Sequence, residues 1–321
     1  MSYEPPFKIT AKIVNLISEI SSSLERYTIS LEKTDGIRLR KINRMKTIRG
    51  SLAIEGNSLS EEQVTALLDG KHVIAPVKEV QEVRNAILAY EQFMLLNPYD
   101  EKDLLKAHGI MALGLVDNPG HFRKGGVCVA GKDGISHIAP PADRIPFLIS
   151  DLFEWLKSAE DHILIRSSVF HYEFEFIHPF EDGNGRMGRF WQSRLLAEWN
   201  PVFEHLPVEN MIWENQAEYY KAIEKSTDET DSGIFVEFML GIILEAIKSH
   251  TVNDTVNDTV KIILSIIKEN PFVSYEELAL KTGKSRITIS RKISELKKNN
   301  VIRRVGADKN GYWEITGEND K

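Results

Sequence analysis

Apolar residues recur at three- and four-residue steps from about Ile9 to Leu95, as in Ile13, Leu16, Ile17 and Ile20 or Val80, Val83, Ile87 and Leu88. That period predicts amphipathic helices, broken only near Gly56 and Gly70. Ser60-Glu61-Glu62-Gln63 reads as a capping box opening one of them, since Ser60 and Gln63 can satisfy each other's backbone donors. A second, mostly helical block runs from about Asp100 to His250. Inside it, Val127–Ala130 and Ile135–Ile138 are short β-prone runs flanking Gly131-Lys132-Asp133-Gly134, and Pro140-Pro141 stops them. This is the pattern of a β-hairpin, which cannot bury its own surface and so must lie on the helical body or serve a partner.

The tetrapeptide Thr-Val-Asn-Asp then repeats in tandem over 251–259. It is polar, β-branched and rich in Asx, and predicts a linker. Beyond it come an apolar helix (Ile262, Ile263, Ile266, Ile267), a helix Tyr275–Lys281, a turn at Gly283, a helix Arg286–Asn299 and two strands, Val301–Val305 and Tyr312–Ile315, around Asp308–Gly311. That order predicts a small winged helix-turn-helix. The expected organisation is thus an N-terminal helical region (1–95), a helical core (96–250), a linker (251–259) and a winged-helix domain (260–321).

Composition changes this picture little. A 321-residue chain with 42% apolar and 27% charged residues is an ordinary globular protein. Its single cysteine, Cys128, excludes an internal disulfide framework. Phe235–Ile247, an extended apolar patch, is interrupted by Glu237 and Glu245 and is too short to span a bilayer. With no leader pattern, a cytoplasmic location without a membrane partner is expected. Charge is more informative. The net −7 divides into 13 Lys+Arg against 8 Asp+Glu in residues 259–321, and 27 against 39 in the rest. An acidic body with a basic tail suggests partners of opposite character. From Lys281 to Arg304 there are nine basic residues and one acid, Glu295, a face that can track DNA phosphates from Ser285, Arg286, Thr288 and Arg291. Winged helices also bind proteins or dimerise, so DNA, a protein and a homodimer all stay open.

Most of the chemistry lies in His178-Pro-Phe-Glu-Asp-Gly-Asn-Gly-Arg-Met-Gly-Arg189. Asp182–Gly185 is a turn leading into a Pro-free helix, Arg186–Trp199. Glycines there let backbone N–H groups converge at a helix N-terminus, where the dipole favours an anion. Asp182 is a hard carboxylate of the kind Mg²⁺ takes alongside phosphate oxygens. Arg186 and Arg189, three apart, project to the same side and can grip phosphates. His178 at the lip suits proton abstraction near neutral pH. Alone, each feature is commonly structural. In this order and spacing they describe a phosphoryl- or nucleotidyl-transfer centre.

The segment resembles the signature of the Fic family, His-x-Phe-x-Asp/Glu-Gly-Asn-Gly-Arg-x-x-Arg, at every fixed position. The resemblance implies a mainly α, Fic-fold helical bundle with a β-hairpin flap, here followed by the small α+β winged helix. It implies a protein adenylyltransferase that moves AMP from ATP to a Ser, Thr or Tyr hydroxyl. His178 would be the base, Asp182 would hold Mg²⁺, Gly183, Asn184, Gly185 and Arg186 would line the anion hole, and Arg189 would hold the γ-phosphate. Phe180 would be a buried anchor, and His171 and Phe174 packing residues. The related Doc proteins carry Ala and Lys where this chain has Gly183 and Gly185, which favours nucleotidyl transfer over kinase activity. Gly120-His-Phe-Arg123 and the 127–138 hairpin resemble the flap, so a target protein is expected to dock over 120–138 by strand addition. Glu214–Lys221 resembles the helix lining the adenine pocket, leaving Tyr219 and Tyr220 as base contacts or core. Ser51-Leu-Ala-Ile-Glu55-Gly56-Asn57 resembles the family's inhibitory motif. Ser51 and Glu55 share a helical face, and a carboxylate at a helix C-terminus costs about 0.3–1 kcal/mol unless a cation meets it. Arg189 is the expected cation, and its pairing with Glu55 would obstruct the γ-phosphate site. Two other readings stay open: a DNA-binding regulator that only senses nucleotide, and a Fic enzyme whose donor is UTP, GTP or CDP-choline.

Overall fold

The computed structural model describes residues 3–32, 36–131, 134–298, 301–306 and 311–316. Four helices come first: α1 (Ala11–Glu32), α2 (Gly36–Ile54), α3 (Glu61–Leu68) and α4 (Val77–Gln92). A 3-10 turn at Phe93–Leu95 leads to α5 (Glu101–Met111), and the hairpin β1 (Cys128–Gly131) and β2 (Gly134–Ile138) follows. Then come α6 (Ile145–Ser158), α7 (Ile163–Ile177), α8 (Asn184–Trp199), α9 (Val208–Glu214), α10 (Gln216–Glu229) and α11 (Gly233–Glu269). The last elements are α12 (Tyr275–Thr282), α13 (Arg286–Lys298), β3 (Ile302–Val305) and β4 (Tyr312–Ile315). The chain divides into two compact units, Met1–Lys248 and Ser249–Lys321.

In the larger unit one apolar core extends from Ile13 to Ile247, so residues 1–95 and 96–250 pack as one body. At its centre lies α7, whose apolar residues ring the helix (Leu164, Val169, Phe170 and Phe174 are all fully buried). Its neighbour α8 is also enclosed, although Arg186, Arg189, Gln192 and Arg194 all lie on it. Buried groups of that kind need partners. Arg194 donates to the Leu96 carbonyl at 2.9 Å, and Gln192 donates to Ser168 at 3.0 Å. The Ser60 capping box forms as expected.

α2 lies against α9 at very short range. A side chain at Gly50 would put Cβ 2.6 Å from the Asn210 Cα, so only glycine allows this approach. The hairpin pairs antiparallel, Cys128 with Ile138 and Gly131 with Gly134, with an irregularity between Val129 and Ala130. Its turn residues Lys132 and Asp133 lie outside the described residues, as do the wing-tip positions 307–310.

In the second unit Ile263, Ile267, Leu278, Ile289, Ile293, Ile302 and Trp313 form a separate small core. Gly283, left-handed at φ +64°, ends α12 and starts the turn into α13. β3 and β4 pair antiparallel, Ile302 with Ile315 and Val305 with Tyr312, completing the wing. The segment 251–259, expected as a linker, lies within α11. Its Thr-Val-Asn-Asp units contain neither Gly nor Pro, so nothing in them stops a helix entering from the apolar residues before them. Among the described residues no helix is long and apolar enough to cross a membrane.

The contrast between two helical glycines is testable. Gly50→Ala should lower the thermal midpoint of the larger unit, overpacking costing about 1–3 kcal/mol. Gly241→Ala, where an added Cβ meets nothing within 4 Å, should hold or raise it by up to about 1 kcal/mol of helix propensity. Thermal denaturation of both variants checks this; a Gly50→Ala midpoint at or above wild type contradicts it.

Candidate active site

α7 ends at His178, whose backbone is left-handed (φ 51°, ψ 61°) and whose N–H still caps the Phe174 carbonyl at 2.9 Å. A non-glycine residue adopts this conformation only where its surroundings enforce it. Enforcement comes from both sides. Asn184 takes the Phe180 N–H on Oδ1 at 2.8 Å and donates Nδ2 to the Phe180 carbonyl at 2.9 Å. Phe180 is fully buried and stacks on His108 at 3.6 Å and 2°. The His108 Nδ1 accepts the Gly120 N–H at 2.9 Å, so its proton is on Nε2, which donates to the Asp182 carbonyl at 3.1 Å. Burial pushes the His108 pKa down to about 4, which keeps that neutral tautomer near pH 7.

On the far side, Arg123 is only 4% exposed. It donates to the carbonyls of His178 (2.7 Å), Gly125 (2.6 Å), Pro140 (2.7 Å) and Ile177 (3.4 Å). The loop is therefore pinned from three elements before any ligand arrives.

Gly183, left-handed at φ +84°, opens α8, whose first intrahelical bond is Met187 N–H to the Gly183 carbonyl. The amides of Asn184, Gly185 and Arg186 precede that bond and form the helix N-terminus, a ready anion site. Asp182 stands beside it with its side chain 44% exposed, accepting Gly183 N–H at 2.6 Å and Arg186 Nη2 at 3.0 Å. Burial works against the carboxylate, but Arg186 and that amide outweigh it and hold its pKa below the ordinary value. The Nε and Nη1 of Arg186 are buried with no hydrogen-bond partner among the described residues. A buried guanidinium with idle donors has capacity for an anion.

Arg189, 2% exposed, is engaged through Nε and Nη2. It donates Nη2 to Glu55 Oε1 at 2.7 Å and to the Ser51 carbonyl at 3.0 Å, and Nε to Ser51 Oγ at 3.3 Å. Burial opposes its charge, yet Glu55, first among its neighbours, raises its pKa above the ordinary value. Glu55 follows directly on the last residue of α2, and Gly56 (φ +88°) turns the chain away. A Cβ at Gly185 would collide with the Glu55 carboxylate, so the glycine at the head of α8 makes the space that Glu55 fills. The Ile54 carbonyl accepts Gln216 Nε2 at 2.8 Å, and Asn57 donates to Glu82 at 2.8 Å, which fixes the end of α2 to α10 and α4.

The structure thus brings together His178, Asp182, Gly183, Asn184, Gly185, Arg186, Arg189, Ser51 and Glu55. Two expectations change in detail. The Asn184 side chain is engaged with Phe180, so only its backbone N–H is available to an anion. Tyr219 is 1% exposed with its hydroxyl 3.1 Å from His171 Nε2, which puts it in the core. Tyr220 is half-buried, 3.5 Å from the Ile54 carbonyl. His171 is fully buried, as expected of a packing residue, but it also carries a polar network through Gln192 at 2.6 Å. Sequence reasoning missed His108, which has no local signal. Arg123 lies within the flap motif, where nothing in the sequence assigns it a task.

A histidine at a left-handed turn, a helix N-terminus, a part-exposed carboxylate and two buried arginines lie together on a helical scaffold. The chain belongs to the Fic/DOC family, whose model matches residues 98–196; a winged helix-turn-helix DNA-binding model matches 256–303. A Fic family protein from Desulfovibrio desulfuricans G20 is 41% identical, with a TM-score of 0.76 over 99% of this chain and 100% of that one. A Fic domain-containing signaling protein from Bacteroides thetaiotaomicron shares the fold at a TM-score of 0.59 and 17% identity, covering 76% of this chain and 98% of that one. Among curated relatives, protein adenylyltransferase Fic of Culex quinquefasciatus is 34% identical over 47% of this chain and 32% of its own length. That of Drosophila mojavensis is 30% identical over 72% and 47%. The chain therefore spans a third to a half of the curated relatives it matches.

Asn184→Asp tests the loop clamp. It keeps the acceptor for Phe180 N–H but turns an oxygen against the Phe180 carbonyl, and should cost about 1–3 kcal/mol in denaturant unfolding. An unchanged midpoint would show that the clamp contributes nothing.

Proposed function

We propose that this chain transfers AMP from ATP to a hydroxyl of a target protein and that Glu55 holds the activity down. The observation carrying the proposal is the Glu55–Arg189 pair: a carboxylate sits at the head of α8, where the family motif calls for phosphate. His178 takes the proton of the target hydroxyl, whose oxygen attacks the α-phosphorus. The bond from that phosphorus to the bridging oxygen breaks and pyrophosphate leaves. The amides of Gly183–Arg186 and the idle donors of Arg186 receive the α- and β-phosphates, and Arg189 receives the γ-phosphate once Glu55 withdraws. Rate then comes from positioning and charge neutralisation.

Mg²⁺ fits this site. No group of three or more His, Cys, Asp or Glu forms a metal cage among the described residues, and Asp182 offers one anionic, part-exposed carboxylate. Mg²⁺ takes one or two protein carboxylates and completes its shell with phosphates and water. Asp182 would hold it, and when bound the ion neutralises phosphate charge. The target's extended segment would lie along the hairpin, whose two feet Arg123 holds. The donor is read as ATP because the curated relatives are adenylyltransferases.

The second unit is assigned to DNA, supported by the family match at 256–303 and the basic run from Lys284 to Arg304. A mobility shift that weakens as salt rises is expected; no shift at low salt would leave protein binding as its role.

Labelling ATP at the α- or the γ-phosphate tests the enzyme. Glu55→Gly should raise protein labelling from the α-position by roughly tenfold or more, each ~1.4 kcal/mol of released pairing being tenfold. Adding His178→Ala should remove it by on the order of 100-fold. Label arriving only from the γ-position would mean a kinase. Equal labelling by wild type and Glu55→Gly would remove the inhibitory role.

A further inference from the structure

Arg123 does something unusual with its charge. Among the described residues no carboxylate lies within ion-pair distance of it, and its guanidinium is met by carbonyl oxygens alone. Those carbonyls belong to three separated segments. Gly125 lies just before β1, and Pro140 just after β2, so they are the two feet of the hairpin. Ile177 and His178 are the end of α7 and the base. The backbone of Arg123 adds a fifth bond, its N–H donating to the Pro179 carbonyl at 2.9 Å.

We propose that Arg123 is a positioning residue that ties the hairpin to the base, so that seating a target on the hairpin and setting His178 are one mechanical event. This rests on the transferase reading for its purpose but not for its geometry.

Three features support it. The left-handed turn at His178 needs restraint, and the 2.7 Å bond from Arg123 Nε falls on the carbonyl of that very residue. A planar fork with five donors can reach carbonyls on different segments at once, whereas the compact ammonium of lysine cannot. Finally, a hairpin gains rigidity from its feet as well as its ladder, and here one side chain holds both feet. The hairpin amides then cannot shift relative to the imidazole without breaking bonds to a buried cation. A target strand added to that hairpin is delivered in fixed register with the base.

The experiment compares Arg123→Lys and Arg123→Met in the full chain. Hydrogen exchange is followed in peptides covering 124–140 and 178–182, with α7 and α11 as internal references. Exchange in both segments should rise together by roughly tenfold while the references hold, with Arg123→Lys lying between wild type and Arg123→Met. Acceleration in only one segment, or in neither, overturns the coupling. Should Arg123→Met not fold, Arg123→Lys alone carries the comparison. This readout needs no catalysis, so it stands apart from any failure of AMP transfer.

In the Glu55→Gly background, calorimetry should find ATP affinity within about twofold of the parent for Arg123→Lys, while α-phosphate labelling of protein falls roughly thirtyfold. A parallel loss of ATP affinity would assign Arg123 to general support of the site and overturn the positioning role. Full labelling would overturn it as well.

Discussion

A buried guanidinium at the head of one helix organises this site. Arg189 is enclosed by the core, and an enclosed cation must find negative charge or carbonyl oxygen. In the structure it finds both on one short segment, the end of α2, where Ser51 and Glu55 meet it with three hydrogen bonds. The Glu55 carboxylate also lies against Gly185 at the head of α8, so the protein's own carboxylate takes up the space beside that helix N-terminus. The packing around it follows from that constraint. Gly50 lets α2 approach α9, Gly185 leaves room for the carboxylate, and Gln216 and Asn57 hold the segment that carries it.

The remainder of the site is built to be ready without a ligand. His178 is held in a strained backbone by groups that do no chemistry: Asn184 through Phe180, His108 through Asp182 and Gly120, and Arg123 through four carbonyls. Each connection passes through main-chain atoms, so the loop has little freedom left to lose on binding a ligand. Preorganisation of this kind is where rate comes from in phosphate chemistry. Arg186 is the exception, since its Nε and Nη1 make no hydrogen bond among the described residues and the Glu82 carboxylate approaches Nη1 only to 3.9 Å.

Much of this was legible in the chain. Apolar periodicity located the helices, Gly and Pro located the hairpin, and Ser60 with Gln63 located a helix start. The motif from His178 to Arg189 stood out because its residue types are close in sequence as well as in space. Glu55 was legible only because its motif is short and Arg189 was already assigned. What escaped detection depends on contacts between distant segments. His108 is an ordinary helical histidine until its ring meets Phe180. Tyr219 and Tyr220 are adjacent, and nothing in sequence says which one faces inward. The repeat over 251–259 reads as a linker from its polarity, yet helical backbone runs through it because it contains no residue that stops a helix.

The central claim is that Glu55 occupies the place of a γ-phosphate on Arg189. The most direct test is calorimetric affinity for ATP and for ADP, with Mg²⁺, in wild type and in Glu55→Gly. If the claim holds, wild type binds the two nucleotides about equally, because the third phosphate has no free cation to meet. The variant then prefers ATP by roughly tenfold, a difference of ~1.4 kcal/mol. The same ATP-to-ADP ratio in both proteins would contradict it.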